Sequence, residues 1–539
     1  MSDYEYYQPH SADSFLFVPG VADQIHDLRP RKRSKALYLF LFLPCVWAGI
    51  SWIAGGMPFL TDLAFSTLLV LCLILIATEV VAFSRRFGVG GLVLFGGTIV
   101  WYVHDYFSNW FQLDFRSNFT GFSAAVVAKA TFSTTIFVFF AAVGLLLPPW
   151  RKLTNLSLKI PEPASNGIYM FVIVTTALVG LIPYVFFTRE SLPITLWKAM
   201  TNMYGANGPE FTTGRTGNLN YSWGAYLAQL EQIGSTGGVF AAFYVLMVPG
   251  KGPSKWIATL LWAFSAALGF GTGSRGAFLF AVLPVAVLLF LKYMLIAADR
   301  LRKFSPRAMI YSGLFLFLTL FVVQIQGTFR LSGIKSVDVK KTELFKAQGN
   351  DMFSEGLLAY KYFGEIFPPA RDKFPGATFI LPMPDVVVRF AIGWIPRVLW
   401  HNKPGIDATG QWYNRMGSGG TAANSETSGS VTGGTMCASV AGGAYMGYGF
   451  SGVIQTALLF GWLCKLTEEI LWLNLRRPLT VMFALGVAAW IFRGFRDLAP
   501  ADLYPLLIGM VFIILTIKFI QIFSGGQTAE APVFSGEYA

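Results

Sequence analysis

The sequence predicts an all-α polytopic membrane protein with about 12 transmembrane helices, and three observations carry that prediction. Of its 539 residues, 54% are hydrophobic and only 13% are charged. The apolar runs are continuous rather than alternating, which fits helices that satisfy their own backbone groups in lipid and excludes the strands of an outer-membrane barrel. Basic residues cluster at alternate connections between the runs, as the positive-inside rule requires of a chain that crosses back and forth.

Taken in order, residues 1–35 are a polar tail with acidic residues and no cationic start leading into a short apolar core, so they read as a cytoplasmic tail and not as a cleaved signal peptide. Spans are predicted at about 36–56, 61–83, 88–107, 122–147, 167–187, 223–248, 255–271, 277–297 and 308–326, which makes 36–326 the block of transmembrane helices 1–9. Arg29, Arg31, Lys32, Arg33 and Lys35 precede the first span. Arg85 and Arg86, Arg151 and Lys152, Lys251 and Lys255, and Arg300, Arg302, Lys303 and Arg307 follow at every second connection, all cytoplasmic on this reading. Three sizeable loops fall on the other side, at about 108–121, 188–222 and 327–445, and the last is too long to be a connector. Residues 327–445 are therefore read as a large extracytoplasmic, partly helical cap between helices 9 and 10. Leu344, Phe345, Met352, Leu357, Leu358, Tyr360 and Phe363 recur at helical spacing within it. A Gly, Ser and Thr-rich stretch from Gly417 to Gly449 closes it, with backbone suited to tight turns near a ligand. Residues 446–523 hold helices 10–12, at about 446–464, 478–492 and 503–523. Arg476 and Arg477 fit the cytoplasmic side, and the tail 524–539 returns there.

The formal charge of +12 is thus a matter of membrane sidedness, and no nucleic-acid partner is implied. Cys45, Cys72, Cys437 and Cys464 are far apart, without the spacing of a disulfide framework or a zinc site. There is no Asp-x-Asp, Walker loop, His-Glu-x-x-His or dinucleotide fingerprint, so the motifs call for no metal and no cofactor and argue against a metal-held nucleotide donor.

Basic residues on outward-facing connections gain nothing in insertion and ask for another explanation. Arg275 lies in the turn Gly271 to Gly276, Arg330 follows the ninth span, and Arg493 and Arg496 share the turn between the last two spans. Arg397, His401 and Lys403 lie in Ile395-Pro396-Arg397-Val398-Leu399-Trp400-His401-Asn402-Lys403-Pro404. Two readings stand side by side: cations that snorkel or pair locally, and guanidiniums that converge on a polyanionic head such as a lipid diphosphate. Lys129 and Glu231 fall within spans, where an uncompensated charge costs about 2.5–3.5 kcal/mol, so they either pair or meet water. His104, at a helix end, reads as structural.

Three of these pieces resemble the bacterial polysaccharide repeat-unit polymerases, the O-antigen polymerase family, and more distantly the O-antigen ligases. Ser274-Arg275-Gly276 is similar to the family's Ser-Arg-Gly, and Ile395-Pro396-Arg397 with Trp400 and Lys403-Pro404 is similar to its Ile-Pro-Arg…Trp…Lys-Pro segment. Gly442 to Gly452 resembles the stretch that closes the cap, but glycine stands at position 443 where relatives often carry glutamate before the tyrosine, here Tyr445. The resemblance implies a glycosyltransferase acting on undecaprenyl-diphosphate-linked oligosaccharide at the periplasmic face of the inner membrane. Together with the arginines that break the positive-inside pattern, it makes Arg275, Arg397, His401 and Arg493 the catalytic candidates and Arg330, Lys403, Asp407, Glu426, Tyr445 and Arg496 the substrate-binding ones. With Gly443 in place of the carboxylate, His401, Asp407 and Glu426 are the bases on offer. Membrane lipid, a chain-length regulator and a flippase are the implied partners. A ligase that passes glycan to lipid A core or protein, and a lipid-linked sugar transporter, remain the alternatives.

Overall fold

The computed structural model describes residues 35–81, 88–111, 122–187, 191–201, 230–248, 252–271, 275–299, 314, 352–362, 438–475, 477–496 and 503–523. Every regular element among the described residues is helical. In order they are α1 (Lys35–Leu39), α2 (Phe42–Ile53), α3 (Pro58–Val81), α4 (Val89–Thr98), a π-helical turn (Ile99–Val103) that runs into α5 (His104–Phe111), α6 (Ala124–Leu146), α7 (Arg151–Ser157) and α8 (Asn166–Phe187). Then come α9 (Leu192–Met200), α10 (Leu230–Met247), α11 (Pro253–Gly271), α12 (Arg275–Asp299), α13 (Met352–Tyr362), α14 (Ser439–Leu473), α15 (Pro478–Arg493) and α16 (Tyr504–Phe523).

Five stretches, Pro58–Thr78, Ala124–Leu146, Asn166–Phe186, Tyr448–Leu473 and Tyr504–Phe523, are long and apolar enough to cross a membrane. Exposed Phe59, Leu178, Val511, Leu515 and Phe519 on three of them suit a lipid surrounding. Trp150 and Trp256 are exposed near one end of the bundle and Trp197 near the other, where amphipathic rings sit at the two interfaces. The chain is an all-α membrane protein.

Two packing centres hold the bundle. In the first, α6 lies against α2, α3 and α14, and in the second α10 lies against α8, α11 and α16. Lipid tails are as apolar as leucine, so helices in a membrane are held by close packing of small residues. Gly144 backs onto the Leu458 carbonyl and Gly461 onto the Ala141 carbonyl where α6 meets α14, while Gly180 meets Gly234 where α8 meets α10. In each case a Cβ would strike the neighbouring backbone, so a larger side chain would force the helices apart.

One end of the bundle is basic and tied by polar contacts. The Arg477 guanidinium donates to the Ser157 carbonyl (3.1 Å), the Asn474 Oδ1 (3.1 Å) and the Ile160 carbonyl. Glu162 accepts from the Leu479 and Thr480 N–H groups at 3.1 and 3.0 Å and from the Thr480 hydroxyl at 3.0 Å. It thereby caps α15, whose first N–H groups have no partner within the helix. Burial pushes the Glu162 carboxyl up to about 7, against the pull of those N–H donors and of Arg477.

Candidate functional site

Towards the opposite end the sequence makes two short helices that begin inside the bundle. α14 bends at Tyr448 and Gly449, whose backbone angles leave the helical region, with Gly449 at φ 63° and ψ −147°. Only glycine takes that conformation without strain. The fold-back is sharp: a Cβ on Gly452 would touch the Ala444 carbonyl, and the Tyr445 and Phe450 rings meet at 5.1 Å. In a straight helix positions 444 and 452 would lie about 12 Å apart. Residues 439–447 are therefore a separate limb lying beside the long limb, 450–473.

The second short helix is α13, from the interval predicted to cap the protein, and it lies within the packed bundle. Its positions 356, 359 and 360 face 438–439, 442 and 445 of the short limb. Phe353 stacks edge-on against Phe65 (5.0 Å) and Tyr106 (5.7 Å), and its N–H donates to buried Asp105 at 2.8 Å. The Tyr360 hydroxyl bonds the Ser133 hydroxyl at 2.8 Å. The periodicity predicted this helix but not its place, because Phe353, Leu357, Ala359 and Tyr360 form a buried face that only neighbouring helices could cover.

The base of the short limb meets the turn after α15. Val440 N–H donates to the Phe495 carbonyl (3.0 Å), Ala441 N–H to the Tyr102 hydroxyl (3.5 Å), and Gly442 N–H to Ser439 Oγ (3.1 Å). Ser439 itself sits at φ 61°, a left-handed conformation that a non-glycine residue adopts only under constraint. The Phe495 ring is fully buried against Phe460 (4.9 Å), Tyr102 (5.8 Å) and Phe137 (6.2 Å). Phe137 lies about 20 Å along α6 from that helix's start. The Phe495 ring thus packs at mid-length of α6. α15 has 16 residues and spans about 24 Å, shorter than a hydrocarbon core of about 30 Å.

Arg493 and Arg496 flank Phe495 in this turn, half-buried, with Arg496 N–H bonded to the Arg493 carbonyl at 2.9 Å. The π-helical turn Ile99–Val103 supplies the adjoining wall. Its Tyr102 receives the N–H at the base of the short limb, and its Trp101 ring lies 6.0 Å from Phe492, the residue before Arg493. Trp101 is 9% exposed, and its Nε1 is buried with no hydrogen-bond partner among the described residues. A buried N–H donor with no acceptor is uncommon and calls for a ligand or water. Two half-buried arginines and this indole donor occur within a few residues of one another at the meeting of α15, the π-helical turn and the short limb, and the species such donors suit is an anion.

Lys129 is nearly buried on α6, 5.4 Å from the Tyr445 ring and 5.8 Å from the Trp52 ring, so π faces meet its charge. Glu231 takes a 2.6 Å hydrogen bond from the Tyr184 hydroxyl. Of the predicted site residues, Arg493, Arg496 and Tyr445 fall in one region around the two short helices. Arg275 opens α12, which packs on α15. Arg330, Arg397, His401, Lys403, Asp407 and Glu426 lie outside the described residues. His104 is exposed at the start of α5. Trp101, the Ser439 backbone and the fold-back at Gly449 escaped sequence reasoning: a tryptophan inside an apolar run gives no signal, and only the Gly-rich character of 442–452 hinted at the bend. No protein-family model, curated protein or solved structure matches the chain.

Proposed function

We propose that the protein is a membrane-embedded glycosyltransferase that polymerises undecaprenyl-diphosphate-linked oligosaccharide repeat units into a surface polysaccharide, an O-antigen, capsule or exopolysaccharide. The end opposite the basic one faces the periplasm in this reading, and the protein sits in the bacterial inner membrane with both termini cytoplasmic. The observation that carries it is the pair Arg493 and Arg496, half-buried beside the base of a short helix and near the buried Trp101 indole, whose Nε1 has no hydrogen-bond partner among the described residues. A guanidinium forks onto phosphate oxygens, and a lipid diphosphate reaches such arginines from within the bilayer.

In the reaction the donor glycan leaves undecaprenyl diphosphate for a hydroxyl of an incoming lipid-linked unit. Arg493, with Arg275 and Arg397 brought by the family likeness, holds the diphosphate and stabilises the charge that develops as the glycosidic bond breaks. The proton of the acceptor hydroxyl passes to a base, for which the motifs offer His401, Asp407 and Glu426. A flippase that delivers the unit and a chain-length regulator are the partners this chemistry implies.

Reconstitution with purified lipid-linked repeat unit tests the reading: glycan should lengthen with neither metal nor nucleotide sugar added. Arg275→Ala, Arg397→Ala and Arg493→Ala should each leave folded protein that no longer lengthens it. Full polymer length in all three variants would overturn the arginine assignment. Transfer only to lipid A core would make the protein a ligase, and transport of the lipid without transfer would make it a transporter.

A further inference from the structure

Helices α8, α9 and α10 carry buried polar groups that the diphosphate site does not use, with Tyr184 of α8 touching both of the others. Glu231 is the second residue of α10 and is held by the Tyr184 hydroxyl of α8 at 2.6 Å. Beside it in the chain, Gln232 Oε1 is buried and has no hydrogen-bond donor among the described residues. Thr195 of α9 is fully buried, and its hydroxyl likewise has no partner there. It lies on the face Leu192, Thr195, Leu196 and Ala199, which packs on Tyr184. Buried polar atoms without partners are rare in folded proteins, and the Thr195 hydroxyl on the α9 face that packs on Tyr184 and the Gln232 oxygen next to Glu231 in the chain are each a place that a ligand or water would complete.

The chemistry of the cluster is that of an acceptor. A carboxylate and an amide oxygen both take hydrogen bonds, while the Tyr184 hydroxyl is already committed as a donor. The ligand such a set fits is one that donates several O–H groups, as a sugar does. Moreover α10, α12 and α15 pack on one another, so Glu231, Arg275 and Arg493 lie on three helices in mutual contact.

We infer that Glu231 is the general base that accepts the proton of the acceptor sugar hydroxyl, with Tyr184 as its positioning residue and Gln232 and Thr195 holding neighbouring hydroxyls. The inference rests on the glycosyl-transfer reading above. In the step, the acceptor O–H bond breaks and its proton goes to the Glu231 carboxylate while the oxygen bonds the anomeric carbon. The bond from that carbon to the diphosphate oxygen breaks, and its electron pair leaves with undecaprenyl diphosphate, whose charge the arginines meet. Glu231 then gives the proton to water or to the departing diphosphate. Glu231 thus takes the part for which His401, Asp407 and Glu426 are the candidates in the sequence.

The test uses the full chain in lipid nanodiscs with purified lipid-linked repeat unit, with undecaprenyl diphosphate binding measured separately. Glu231→Gln should lower kcat by roughly 10²–10⁴-fold while leaving the donor KM and the diphosphate affinity near wild type. Tyr184→Phe should lower kcat by less, and added formate should restore part of the rate in Glu231→Ala by standing in for the missing carboxylate. A Glu231→Gln enzyme with kcat within about threefold of wild type would overturn the assignment. So would loss of diphosphate binding together with activity in both Glu231→Gln and Glu231→Ala, since the residue would then be holding the bundle together. Wild-type protein that binds the lipid but lengthens no glycan removes the glycosyl-transfer reading and this inference with it.

Discussion

Replacing Glu162 with glutamine keeps the shape of the cap on α15 and removes its charge. Two effects oppose each other at this carboxylate. Three donors, the Leu479 and Thr480 N–H groups and the Thr480 hydroxyl, favour the ionised form, and so does Arg477, whereas burial disfavours it. Burial wins, since the carboxyl titrates at about 7 instead of 4.5. A group whose folded pKa is raised contributes stability that is fully present below its unfolded pKa and is lost as pH rises through the folded one. Between 4.5 and about 7 the folded bundle binds more protons here than the unfolded chain, and the difference amounts to about 3 kcal/mol across that window. Thermal unfolding of wild type and Glu162→Gln in detergent, followed at a series of pH values from 4 to 8, isolates this group by difference. The wild type should lose stability relative to the variant as pH rises, and Glu162→Gln should equal or exceed it at pH 8. Glu162→Ala, which removes the cap altogether, should be less stable than Glu162→Gln at every pH by about 1–2 kcal/mol. Parallel pH curves for wild type and Glu162→Gln would refute the argument, because the carboxylate would then be as well solvated in the bundle as in the unfolded chain.

Trp101→Phe keeps a ring against Phe492 and removes only the buried donor. It should weaken undecaprenyl diphosphate binding by roughly 10–100-fold, the worth of a hydrogen bond to a charged acceptor, without lowering thermal stability; unchanged affinity by titration would take the indole out of the site. Gly449→Ala forces a side chain onto a backbone at φ 63° and ψ −147°. It should destabilise the bundle by about 1–3 kcal/mol and reduce activity with it, as the limb that carries Tyr445 loses its fold-back; a variant with wild-type melting temperature and rate would show that the bend tolerates a side chain.

Most of the described membrane helices are legible in the sequence because apolar length and the placement of lysine and arginine are local properties. The apolar runs beginning near residues 61, 122, 167, 478 and 503 return as α3, α6, α8, α15 and α16, with ends shifted by a few residues. The arginines that break the positive-inside pattern were also visible, since a charge in the wrong place stands out against an apolar background. Their depth was not. Whether Arg493 and Arg496 lie at a surface or in the interior depends on where a 16-residue helix begins, and that is fixed at its other end by Glu162 and Asn474 through partners more than 300 residues away. The interval read as an outer cap illustrates the same limit: helical spacing marked Phe353 to Tyr360, but nothing local said that Asp105, Ser133 and Tyr445 would receive them.

By itself the sequence determined that this chain is helical and lives in a membrane, because the bilayer acts as a solvent and selects apolar segments one at a time. It also named Arg493, Arg496 and Tyr445 as residues that needed explaining. Only the tertiary structure decided that a helix folds back at Gly449, that Ser439 begins a short limb inside the bundle, that the Trp101 indole is buried without a partner among the described residues, and that the Glu231 carboxylate meets the Tyr184 hydroxyl of another helix. Those outcomes depend on glycine contacts and hydrogen bonds between distant segments, and such pairings have no signature in the order of residues along the chain.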